Sequence, residues 1–139
     1  MLTRRTLVAT LVALALASPT LAQKKVKIPK PGKAAEVIFV GNSLPHFHDL
    51  PAFVRALGAA DKPSRKLTTV MLAPGGFTLQ MHIETPQQPR PDQVIKKHKA
   101  DYVVLQEQST RPVKQPQLMA KYAKQFAALC KKPKSVPVW

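Results

Sequence analysis

The chain has 139 residues, with 22 Lys or Arg against 7 Asp or Glu, for a formal charge of +15. That length holds one small domain, and a single cysteine, Cys130, excludes a disulfide framework or a thiolate metal site within the chain. The charge attracts polyanions, but the charges are scattered, with lysines at Lys24, Lys25, Lys27, Lys30 and Lys33, then Lys96, Lys97 and Lys99, then Lys131, Lys132 and Lys134, among others. No aromatic residues alternate with them as a base-stacking platform requires. Nucleic acid is not expected as a partner, and binding to anionic polymers is expected to be weak.

Arg4 and Arg5 precede an almost unbroken apolar run over residues 7–17. Ser18-Pro19 breaks it, and Thr20 and Ala22 supply small residues around a cleavage point. The pattern predicts a secretory signal peptide over residues 1–22 and a periplasmic or extracellular location. Thr3-Arg4-Arg5-Thr6-Leu7 also resembles a twin-arginine export signal. The run is short for a bilayer span, so stable membrane insertion is not expected. Residues 23–34, rich in Lys with Pro29 and Pro31, are expected to form a disordered basic arm. The folded domain is placed at residues 35–139.

Within it, residues 36–40 read as a first strand and residues 51–60 as a helix, with Pro51 in its first turn and Asp49 upstream as a cap. Residues 66–72 read as a second strand, closed by Ala73-Pro74-Gly75-Gly76. A short helix is expected over 78–84, an irregular Pro-bearing stretch after it, and two helical turns over 92–99. Tyr102-Val103-Val104-Leu105 is a third strand, followed by a loop over 107–115. Leu118, Tyr122, Phe126 and Leu129 recur at helical spacing toward Lys131, and Cys130 beside them reads as a core residue. Residues 134–139 open a fourth strand. Strands alternating with helices imply a parallel sheet covered on both faces, with every strand's carboxyl end on one edge.

That edge would gather Ser43, after Val37-Ile38-Phe39-Val40-Gly41-Asn42, with Gly75, Gly76 and residues 106–109. Acyl transfer needs such a set: a hydroxyl nucleophile, and amides that approach the oxyanion closely. On spacing alone Ser43 reads more readily as an ordinary turn residue. His46 and His48 read as solvated loop residues, His82 as a helix-face residue and His98 as a surface residue among lysines. His46-x-His48-Asp49 lacks the further ligands a metal would need. No cofactor and no metal are expected.

Val-Ile-Phe-Val-Gly-Asn-Ser with Asp49-Leu50-Pro51 resembles the first block of the SGNH (GDSL-like) hydrolases. Gly75-Gly76-Phe77-Thr78-Leu79 is similar to the second, and residues 101–112 resemble a third-strand segment of one bacterial branch. The resemblance implies an α/β, three-layer flavodoxin-like parallel sheet, here incomplete at the carboxyl end, and hydrolysis of small-molecule esters or acetylated carbohydrates. It makes Ser43 the nucleophile and gives the Ser43 and Gly76 amides to the oxyanion hole. Gln106 or Gln108 would supply the amide for which the family uses an Asn, and Asn42 stands where an Asp is usual. The family's late Asp-x-x-His is missing. The expectation is therefore an amino-terminal portion of a longer hydrolase, inactive or weak by itself. A different class remains open: a non-catalytic basic envelope protein that binds anionic polymers on a degenerate hydrolase core.

Overall fold

The computed structural model describes residues 34–86 and 88–139. The signal-peptide reading lies outside the described residues, and so does the basic arm except for Ala34. Four strands form one sheet: β1 (Ala35–Val40), β2 (Leu67–Leu72), β3 (Tyr102–Leu105) and β4 (Val136–Val138). Their order is β2-β1-β3-β4, and every pairing is parallel. Ile38 lies opposite Val70 on one side and Val103 on the other, so β1 is an interior strand of the sheet.

Among the described residues six helices accompany the sheet: α1 (Ser43–Phe47), α2 (Leu50–Ala60), α3 (Leu79–Glu84), α4 (Pro91–His98), α5 (Arg111–Lys114) and α6 (Pro116–Lys131). Local chemistry starts most of them. Asp49 Oδ1 accepts from the Ala52 amide at 3.1 Å, and Thr78 Oγ1 accepts from the Met81 amide at 3.2 Å. Each caps an otherwise unpaired first-turn N–H. Pro51, Pro91 and Pro116 occupy first turns, where the missing N–H costs nothing. Two short helices differ from the sequence expectation. Residues 43–47 read as a turn and 111–114 as loop, because four or five residues are too few to show a helical period.

The core lies between the sheet and the layer of α3, α4 and α6. Ile38, Val40, Val103 and Leu105 pack there with Leu79, Ile95, Tyr122 and Phe126. Cys130 joins them, and burial pushes its thiol up to about 11, the condition of an inert core cysteine. On the opposite face α2 rests on β2 at Gly58, where a Cβ would stand 2.7 Å from Leu67. Here Phe53 and Leu57 of α2 stay exposed.

His98 departs from its surface reading. It is half-buried, and its Nδ1–H donates to Glu36 Oε1 at 2.5 Å. A neighbourhood of lysines in sequence said nothing about a carboxylate 62 residues away.

Candidate active site

The parallel strands bring the ends of β1, β2 and β3 to one rim, and Asn42 ties them together. The Gly41 amide donates to the Leu72 carbonyl at 3.0 Å, at the end of β2. The Asn42 amide donates to Gln106 Oε1 at 3.0 Å, just past β3. Its side-chain Nδ2 donates to the Phe77 carbonyl at 3.3 Å, in the Gly75-Gly76-Phe77 turn. Its Oδ1 accepts from the Leu44 amide at 3.1 Å and caps α1. Asn42 is 4% exposed, so these bonds stand in for water it has lost.

Ser43 follows at the first position of α1 and is exposed. Its Oγ has no hydrogen-bond partner among the described residues. Gly76 has φ of +73°, the left-handed region that glycine enters without a Cβ clash. Its N–H also has no partner among the described residues. The structure therefore sets the serine and the Gly75-Gly76 turn on a common rim, joined through one bond from the residue preceding Ser43.

The two glutamines are used differently. Gln106 is committed at both ends of its amide. Oε1 accepts from Asn42, and Nε2 donates to the Glu107 carbonyl. Its side chain fills the space beside Gly41, where a Cβ would stand 2.6 Å from Gln106 Oε1. That close approach explains the glycine. Gln108 closes its own loop, with Oε1 accepting from the Thr110 amide at 3.0 Å and the Thr110 hydroxyl at 2.7 Å. Its Nε2 has no partner among the described residues.

Beneath the rim lie two ionisable residues whose role the sequence did not reveal. His82 is buried, not merely on a helix face, and its Nε2–H donates to the Gly41 carbonyl at 2.7 Å. A carbonyl only accepts, which assigns the proton to Nε2. Burial holds the His82 pKa below 6.5, opposed by this hydrogen bond and by the negative charge of Glu107. The Phe77 ring stands edge-on to the imidazole at 5.1 Å. His82 thus braces both the turn before Ser43 and the glycine turn. Glu107 is also buried, and its Oε1 accepts from the amides of Leu79 at 3.2 Å and Gln108 at 2.8 Å. A Gly-Gly turn followed by His at helical distance was the one available signal for His82, but nothing local showed its partner, 41 residues earlier.

Beside α1 runs an apolar groove of about 540 Å³, lined among others by Phe39, Leu44, Pro45, Leu50, Val104 and Trp139. His46 and His48 are exposed. Among the described residues no group of three or more His, Cys, Asp or Glu could hold a metal ion.

No family model matches the chain, and no curated protein matches it. Among solved structures, a chain from Slackia heliotrinireducens described as "a putative SGNH hydrolase" aligns with a TM-score of 0.58 at 20% identity. The fold is SGNH-like. The alignment covers 75% of this chain and 54% of that one, so the described sheet corresponds to about half of the solved neighbour. At this identity the likeness is one of backbone architecture. In an SGNH-like sheet, the rim assembled by Asn42 is the edge where open parallel α/β folds bind their ligands.

Proposed function

We propose that the chain carries the nucleophile half of a serine ester hydrolase of SGNH type. One observation bears most of this reading. Asn42 bonds the serine-bearing turn to the glycine turn, while Ser43 and Gly76 are both exposed and the Ser43 Oγ and Gly76 N–H have no partners among the described residues. In this reading Ser43 Oγ adds to an ester carbonyl as its proton passes to water, the Gly76 and Ser43 amides receive the charge that develops on the carbonyl oxygen, and cleavage of the C–O bond releases the alcohol and leaves the acyl group on Ser43. Gln108 is the better glutamine for a third donor, since the amide nitrogen of Gln106 is already engaged. The groove beside Leu44 and Pro45 would take the apolar part of the ester. Acetylated carbohydrates and small acyl esters are the substrate class.

His82 and His98 are bonded elsewhere, to the Gly41 carbonyl and to Glu36. Neither serves as the base for Ser43 in this arrangement, and the exposed His46 and His48 make no bond to Ser43 among the described residues, so turnover by this chain is expected to be slow. The test is therefore site-resolved acylation. After exposure to p-nitrophenyl acetate, peptide mass spectrometry should find acetyl on Ser43 at least about tenfold sooner than on the exposed Ser64 and Ser109. Equal rates at the three serines would remove the nucleophile assignment.

A further inference from the structure

The lysines that are scattered in sequence converge in space. α4 packs against α6, and a groove of about 680 Å³ runs between α4 and the carboxyl-terminal end of α6. Lys96 and Lys99 line it from the α4 side and Lys132 from the end of α6, over a floor of Ala128, Leu129 and Pro133. All three lysines are exposed. None has a carboxylate within ion-pair distance among the described residues. The single acid in the groove, Asp92, is engaged by Arg90 Nε at 3.0 Å. Two further acids stand near this end: Glu36 takes its bond from His98, and the Asp101 carboxylate accepts from the Glu36 amide. Three uncompensated ammonium groups therefore face one cleft with apolar walls.

The groove is also far from the rim. α4 leads into the start of β3 and α6 into the start of β4, so Lys99 and Lys132 sit at the amino ends of the strands. Ser43 sits at the carboxyl ends. Helix-end lysines do complement the helix dipole, but that role needs no shared cleft. One further feature narrows the ligand. Among the described residues no aromatic ring lines the groove, so bases have nothing to stack on. Point charges over an aliphatic floor suit spaced carboxylates or sulfates on sugar rings.

We infer that the α4–α6 groove is a binding site for an acidic polysaccharide, holding the protein to an anionic polymer while the opposite rim stays free. The inference is independent of the chemistry assigned to Ser43. It is tested with the full chain on immobilised polygalacturonate at 50 mM salt. The variant Lys96→Gln/Lys99→Gln/Lys132→Gln should weaken binding at least about tenfold and make the salt dependence shallower. The charge-matched variant Lys62→Gln/Lys66→Gln/Lys114→Gln, altered elsewhere on the surface, should change it less than about twofold. Should the first variant lose cooperative melting, Lys132→Glu alone is expected to give the same order. Equal losses from the two triple variants would reduce the effect to net charge and overturn the site. So would failure to bind polygalacturonate, or tighter binding of double-stranded DNA at the same salt.

Discussion

Asn42 and Asp101 each tie strands together, at opposite ends of the sheet, and they do so on different terms. At the carboxyl end Asn42 is buried and neutral. Its side chain makes two bonds, to the Phe77 carbonyl and from the Leu44 amide. At the amino end Asp101 is half-buried and charged. One carboxylate oxygen accepts from the Glu36 amide at 2.9 Å, while its backbone bonds Glu36 and receives the Val136 amide. Water reaches Asp101 and can replace its partner. The contacts of Asn42 have no such substitute. The shorter bond is therefore not the one worth more, because an unmade bond costs most where solvent is excluded. The end that must present Ser43 in one geometry is the end built from irreplaceable contacts. The end lined by lysines remains adaptable.

The sharpest way to break this contrast is to remove each hub. Asn42→Ala loses the α1 cap and strips the Phe77 carbonyl of its donor, and should cost about 2–3 kcal/mol in urea unfolding. A loss below about 1 kcal/mol would mean that water enters the rim. The next effect concerns pH. The His82 pKa is depressed in the folded chain, so its contribution to stability is present above pH 6.5 and is lost as pH falls through the folded value. Stability should decline on acidification with a slope no steeper than about 1.4 kcal/mol per pH unit from this group. His82→Gln, which keeps an N–H for Gly41, should flatten that part of the profile. Identical slopes in the two proteins would detach His82 from the rim's stability. The smallest expected effect is that of Asp101→Ala, about 1 kcal/mol, since its single side-chain bond is half-solvated. A cost matching that of Asn42→Ala would erase the distinction between the two ends.

Much of the architecture was legible because it is local. The apolar run 37–40, the capping residue Asp49 and the buried series Tyr122, Phe126 and Cys130 each carry their period or cap within a few residues. The residues placed on the rim were legible through motif order, since parallel strands put all their carboxyl ends together. What stayed hidden were pairings over long separations. The Gln106–Asn42 bond spans 64 residues, His82–Gly41 spans 41 and His98–Glu36 spans 62. None leaves a periodic trace. The separate uses of Gln106 and Gln108 were hidden for the same reason. The two residues are equivalent in composition and differ only in which groups lie within reach.

By itself the chain's residue order determined an alternating α/β layout, a parallel sheet, a dry helical layer over it and a serine where the central strand ends. Hydrophobic period and capping act over a few residues, and those set these features. Only the tertiary structure decided which side chain ties the rim together, that His82 is a buried brace, and that lysines from two helices share one cleft. Each of these depends on groups brought close by packing across the sheet, and electrostatics and hydrogen bonds act on distance in space rather than on separation along the chain.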